Sequence, residues 1–270
     1  MSAFDLDRIG GRSALAALVD EVLAAGAEAR RTFEAGRASV TIKPDRSPVT
    51  IADEAIEKRL FAFLRARWPE HGLLGEETGA SGASDAGLRW VLDPIDGTRA
   101  FVRGISTWSV LLGLEDAGEP VIGVAYLPAE DDLYVAVRGE GAYRNGRRLS
   151  VSRVSALREA TVCHGALQQF RDTGTLAVLP RIAEGCDSAR GFMDFDGYRR
   201  LARGEADAMV DPGVKAWDIC AAAVIVREAG GELTSMRGER TVHGGSAIAS
   251  NGLVHAELVS LIAPALREVG

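Results

Sequence analysis

Two aspartates three residues apart, Asp93 and Asp96, lie in the hexapeptide Asp93-Pro94-Ile95-Asp96-Gly97-Thr98. Pro94 restrains the chain between them, and Gly97 permits a tight turn with close backbone approach. Carboxylates so spaced at a strand end can point into one crevice. Hard oxygen ligands of this kind suit magnesium, which keeps waters and shares oxygens with a phosphate. Thr98 is expected to open the next helix, where unpaired backbone N–H groups favour an anion. Taken alone, the same six residues also read as an Asp-Pro…Asp-Gly turn.

Other acidic residues could join this pair. Glu76-Glu77 follows Gly75 at the end of an apolar stretch; by itself it reads as a solvated acidic pair. Asp218, after Trp217, precedes the apolar run Ile219 to Ala229 and could be a helix N-cap. Asp53 lies within a helical pattern and could sit on its exposed face. If all six carboxylates converge without a cation, they repel one another and their pKa values rise.

The elements that must position these groups follow from periodicity. Leu15, Leu18, Val19, Val22, Leu23 and Phe33 have helical spacing over 13–35, with Ser13 as the expected N-cap. A second helix is expected over 49–68 from Ile51, Ala55, Ile56, Leu60, Phe63 and Leu64. Residues 79–87 read as a Ser/Gly/Ala-rich surface loop, and Trp90-Val91-Leu92 as a short buried strand delivering Asp93. Strands at 107–115, 120–127 and 132–138 read as an antiparallel meander, with Asn145-Gly146 as a hairpin turn. Beyond about residue 150, strands near 160–163 and 206–211 alternate with helices near 173–184, 195–203, 217–229 and 253–264. That is the pattern of an α/β layer.

With 270 residues, 47% apolar and 26% charged, the chain can bury a sizeable core. A formal charge of −7 argues against a nucleic-acid partner, which needs a basic face. It leaves a small anionic substrate open, because bound cations invert the local field. Cys163, Cys186 and Cys220 are odd in number and lack metal-site spacing, so neither a disulfide framework nor structural zinc is expected. No secretory signal and no apolar run of about 18 residues is evident, which predicts a cytoplasmic protein without a membrane span.

Read together, Ser47-Pro48-Val49-Thr50, Ala52-Asp53, Gly75-Glu76-Glu77, the hexapeptide and Trp217-Asp218 occur in an order that resembles the inositol monophosphatase-like family of metal-dependent phosphatases. The resemblance spans roughly residues 13–265. It implies an α+β fold, the layered α-β-α-β-α sandwich of the inositol monophosphatase and fructose-bisphosphatase type. An N-terminal α+β part over 1–147 would carry most metal ligands, and a C-terminal α/β part over 148–270 would carry Asp218. It also implies two to three Mg2+ ions. Glu76, Asp93 and the Ile95 carbonyl would hold one; Asp93, Asp96 and Asp218 a second; Glu76 with waters a weaker third. The Gly97 and Thr98 amides would hold the phosphate. Thr98 and Asp53 would orient and help deprotonate water, with Glu77 nearby. Lys43 would approach the site on the 35–47 loop. Family members are commonly homodimers, and some have acquired regulatory binding roles; the intact ligand set argues for an enzyme here.

The family's metal motif does not choose the ester. Arg99 to Gly104 followed by Trp108 resembles the histidinol-phosphate phosphatase branch, although Phe101 and Trp108 could equally be core. Asp194, in Asp194-Phe195-Asp196-Gly197-Tyr198, falls on an aspartate of that branch, or serves as an N-cap. Asp211 stands where the family usually has a substrate-side glutamate, or simply makes an Asp-Pro-Gly turn. Arg190 could support a polar part of the substrate. Acidic residues on the substrate side suit a cationic leaving group. The expected substrate is L-histidinol phosphate, with inositol 1-phosphate or a broader range of sugar phosphates as the alternative.

Overall fold

The computed structural model describes residues 2–36, 40–42, 48–82 and 87–267. Helix α1 (Gly11–Glu34) buries Ala14, Leu18, Val22, Ala25 and Ala29, as its periodicity requires. Its N-cap is Gly10, in the left-handed region, and not Ser13. Ser13 lies inside the first turn, where its hydroxyl donates to the Gly10 carbonyl. Short strands β1 (Val40–Ile42) and β2 (Pro48–Thr50) pair antiparallel and lead into α2 (Ile51–Arg67).

The first large sheet contains β3 (Gly72–Gly75), β4 (Gly79–Ser81), β5 (Leu88–Asp96), β6 (Ser109–Asp116), β7 (Glu119–Leu127), β8 (Asp132–Val137), β9 (Gly141–Arg144) and β10 (Arg147–Arg148). The short helix α3 (Thr98–Arg103) follows β5. Strand order is β10-β9-β8-β7-β6-β5-β3-β4, and only β3 and β5 run parallel. The expected meander is present, but β5 is a nine-residue strand, and Gly79–Ser81 is an edge strand rather than loop. Residues 83–86 of that expected loop lie outside the described residues. Asn145 and Gly146, both with positive φ, make the predicted hairpin.

The second sheet contains β11 (Thr161–His164), β12 (Ser188–Arg190), β13 (Ala208–Pro212), β14 (Glu232–Thr234) and β15 (Ser246–Ser250), in the order β12-β11-β13-β15-β14. Its helices are α4 (Leu167–Asp172), α5 (Val178–Gly185), α6 (Asp194–Ala202), α7 (Ala216–Glu228) and α8 (His255–Arg267). Of the helix expected over 173–184, only the later part is helical, as α5; α4 precedes that span and ends at Thr173-Gly174, where Gly174 takes φ 72°. A left-handed residue cannot continue a right-handed helix.

Three apolar clusters define the layers. One joins α1 and α2 to one face of the first sheet through Trp90, Leu92, Val110, Leu112 and Val124. The central cluster joins the opposite face, through Val91, Leu111 and Ala125, to α6, α7 and the second sheet. The third places α5 and α8 under the far face of the second sheet, against Val162, Ala208, Val210 and Ile248. The result is the expected α-β-α-β-α stack. Helix α7 lies unusually close to the first sheet. A Cβ at Gly113 would collide with Cys220, and one at Gly123 with the Ala221 backbone. The glycines and the Ala221-Ala222-Ala223 run let helix and sheet approach at backbone distance.

Candidate functional site

The ends of β5, β3 and α7 converge. Strand β5 delivers Asp93, then leaves the ladder with β6 through Pro94-Ile95 and rejoins it at Asp96, opposite Ser109. Such an irregularity re-aims side chains. The Asp93 carboxylate accepts from the Ile95 amide at 3.0 Å. Asp96 accepts from the Ser109 hydroxyl at 3.0 Å and, 99 residues along the chain, from the Phe195 amide at 2.9 Å. Asp218, in the first turn of α7, accepts from the Lys215 amide at 2.6 Å. Its carboxylate therefore faces back past the helix start, while Lys215 and not Asp218 is the N-cap. Oxygen atoms of Asp93, Asp96 and Asp218 all lie within 4.8 Å of one another, a group able to hold a metal ion.

Glu76 is brought alongside by β3. Its amide donates to the Leu92 carbonyl at 3.2 Å, which sets it next to Asp93. Behind it stands Glu57, one turn after Asp53 on α2 and fully buried. Glu57 accepts from the Glu77 amide at 3.0 Å and the Thr78 amide at 2.8 Å, so it fixes the Glu76-Glu77 turn. Gly75 is needed there because a Cβ would strike the Glu57 carboxylate and Phe61. Sequence reading missed Glu57; its spacing of four from Asp53 was the available signal.

Asp53 is buried, not on the exposed face of α2. Its Oδ2 accepts from the Thr50 amide at 2.8 Å and the Thr50 hydroxyl at 2.6 Å, a capping box that locks the side chain. The Thr98 hydroxyl lies 3.0 Å from the Ile95 carbonyl and 3.4 Å from Asp53 Oδ1. Gly97, with φ 79°, caps α3, so the Thr98 amide lies in its first turn, as expected. Lys43 lies outside the described residues.

The electrostatics are those of an acidic cage. Burial raises the Asp93 pKa well above its ordinary value, reinforced by Glu76, Asp96, Asp218 and Asp53. Burial does the same to Asp96, with Asp194 and Asp218 adding to it. Asp218 is pushed up to about 7, chiefly by burial, against the opposing Lys215 hydrogen bond. Asp53 is raised by burial and Glu76, opposed by Thr50. Among the described residues, no arginine or lysine forms a salt bridge with Asp93, Asp96 or Asp218. Buried carboxylates without a basic partner fit a hard divalent cation.

On the other side of the cage stand Asp194 and Asp211. Asp194 opens α6 with φ 56°, a strained value for a non-glycine residue, and makes no side-chain cap. Its carboxylate lies close to Gly97, and burial raises its pKa to about 6. Asp211 is 2% exposed. Its Oδ2 accepts from the Tyr198 hydroxyl at 3.2 Å, while its Oδ1, beside Gly165, has no partner among the described residues. Trp108 is wholly buried against Phe33 and Phe101, so it backs the Gly97 turn from the core and does not face a substrate. Asp196 is turned away into ion pairs with Arg199 and Arg200. Arg190 is exposed on the edge strand β12 and donates to its neighbour's carbonyl.

Comparison with known proteins agrees with this geometry. The model of the inositol monophosphatase family matches residues 12–270. A histidinol-phosphatase of Mycobacterium tuberculosis is 39% identical over 82% of this chain and 86% of its own length. An inositol-1-monophosphatase of Mesorhizobium japonicum is 33% identical over 93% of this chain and 97% of its own. The crystal structure of the extragenic suppressor protein suhB from Bartonella henselae superposes with a TM-score of 0.85 and 29% identity. That match covers 93% of this chain and 98% of the other. The chain belongs to the inositol monophosphatase family and is a phosphoric monoester hydrolase.

Proposed function

We propose that the chain hydrolyses L-histidinol phosphate to L-histidinol and inorganic phosphate with Mg2+. One observation carries the choice of ester. Asp211 is buried with an oxygen that has no partner among the described residues, and the Asp194 carboxylate, close to Gly97, raises the pKa of both Asp211 and Asp96. A leaving group with an ammonium or imidazolium would satisfy carboxylates that a second phosphate would meet with repulsion. The name of the Mycobacterium tuberculosis relative supports the same reading. The Mesorhizobium japonicum relative supports inositol 1-phosphate as the second one.

In this proposal Glu76, Asp93 and the Ile95 carbonyl hold one ion. Asp93, Asp96 and Asp218 hold a second, and Glu76 contributes to a third. The ions, when bound, screen the phosphoryl oxygens and lower the pKa of water. The Gly97 and Thr98 amides bind the phosphate. Thr98 orients the attacking water, and Asp53, locked by Thr50, accepts its proton while Glu77 stands by. Water oxygen bonds to phosphorus as the ester P–O bond breaks; the leaving alkoxide takes up one proton from solvent, and Asp53 returns the proton it accepted to solvent. Residues 1–147 and 148–270 act as two parts enclosing the site, in a cytoplasmic homodimer.

The test is a panel of phosphomonoesters with a magnesium titration. The expected outcome is magnesium-dependent turnover with the highest kcat/KM on L-histidinol phosphate. A higher value on inositol 1-phosphate would overturn the choice of ester, and equal activity in chelator would overturn the metal reading.

A further inference from the structure

The chain's charge is −7, yet one cleft of about 710 Å³ is lined by Arg144, Arg147, Arg148 and Arg203, with Asn145 and Glu205 beside them. It sits at the β10 edge of the first sheet. Five inter-strand gaps separate β10 from β5, or about 24 Å, so the cleft is remote from the carboxylate cage.

Its charges do not cancel. Arg144 pairs with buried Asp132 at 2.5 Å, and Arg203 with Glu205 at 2.5 Å. Arg147 and Arg148 are exposed and make no ion pair among the described residues. Two positive charges are left over. Arg147 is moreover the direct cross-strand partner of Arg144. Like charges placed directly opposite in an antiparallel pair are destabilising unless something neutralises them. Several of the guanidinium groups are held in place before any ligand arrives. Arg144 and Arg203 are fixed by their carboxylates, and the Arg148 guanidinium lies against Gly141. The planar guanidinium fork matches phosphate oxygens two at a time.

We propose that this cleft is a second anion site, which takes one phosphate dianion, free or as the head of a small phosphate ester. A dianion balances the two surplus arginine charges and relieves the Arg144–Arg147 opposition.

The test is calorimetric titration of the full chain in chelator, with inorganic phosphate and glycerol 3-phosphate as separate probes. Without metal the carboxylate cage repels both. The expected result is saturable binding of one anion per chain, weakened at least tenfold in the Arg147→Gln/Arg148→Gln double variant. Each single variant should be intermediate, with thermal stability and phosphatase activity retained throughout, since both side chains are exposed. Asp218→Asn should bind as the wild type does. Tighter binding of the ester would identify an organic phosphate as the occupant. Absence of saturable binding, equal binding by the double variant, or loss of binding in Asp218→Asn would overturn the assignment. So would binding of a single-stranded oligonucleotide with none of either small phosphate.

Discussion

Replacing Asp218 with asparagine should make the metal-free protein more stable at alkaline pH. The folded-state pKa of Asp218 is about 7, against about 3.9 for an unfolded aspartate. A gap of about three pH units corresponds to about 4 kcal/mol when Asp218 is ionised. Because the folded pKa is raised, the proton-linked stability is complete below about pH 4. It is lost as pH climbs through about 7. Asp218 is only half-buried, so solvent screening reduces the figure, and about 2 kcal/mol is a fair expectation. The asparagine keeps an oxygen for the Lys215 amide but carries no charge toward Asp93. In chelator at about pH 8 its Tm should exceed that of the wild type by roughly 4–8 °C. At about pH 4 the two should melt together. Magnesium at about pH 8 should stabilise the wild type and have much less effect on the variant. Thermal melts across pH, with and without chelator, measure all of this. A variant less stable than the wild type at about pH 8 in chelator would refute the reasoning, as would a gap between the two that does not grow with pH.

Asp53→Asn should lower kcat by about 10²–10⁴-fold, as expected when a proton acceptor is lost, with magnesium-induced stabilisation retained; single-turnover kinetics and melts separate the two. Tyr198→Phe removes the only hydrogen bond to Asp211 Oδ2 among the described residues. A loss of about 1 kcal/mol in positioning the substrate-side carboxylate should raise KM about fivefold with kcat little changed, read from initial-rate kinetics. Gly75→Ala forces a methyl group against Glu57 and Phe61 and should cost about 1–3 kcal/mol in urea unfolding, with weaker magnesium binding because the Glu76 turn shifts.

The Asp93–Asp96 pair was legible in the sequence because it is local, whereas its union with Asp53, Glu76 and Asp218 was implied only by the order of motifs that resembles the family. Asp93 and Asp96 share one hexapeptide, and the turn residues between them declare themselves. Layer order was legible from the switch in periodicity, from the antiparallel meander to alternating strands and helices. What escaped notice depends on contacts far apart in the chain. No local pattern announces that the Phe195 amide donates to Asp96, or that Glu57 buttresses the Glu77 amide. Nothing local separates a substrate-facing Trp108 from a core one; its packing against Phe33, distant in the chain, makes it core. Strands β14 and β15 escaped because they are short, and β15 is built of Ser, Ala and Ile, with too little alternation to mark a face. The break between α4 and α5 was signalled by Gly174, but the flanking apolar residues masked it.

The close seating of α7 on the first sheet has a consequence for how such a protein can diversify. Gly113 and Gly123 key the helix to β6 and β7, so Asp218 shares the reference frame of Asp93 and Asp96 although it comes 122 positions after Asp96 in the chain. Helix α6, with Asp194, is tied to that sheet through the Phe195 amide on Asp96 and the Arg199–Asp132 ion pair, whereas Asp211 belongs to β13 in the second sheet, which no described glycine seats against the first. Mutation around Asp211 can therefore reshape the pocket for the departing alcohol while the phosphate-cleaving apparatus stays registered. Relatives of one architecture that carry different substrate names are what this division of labour would produce.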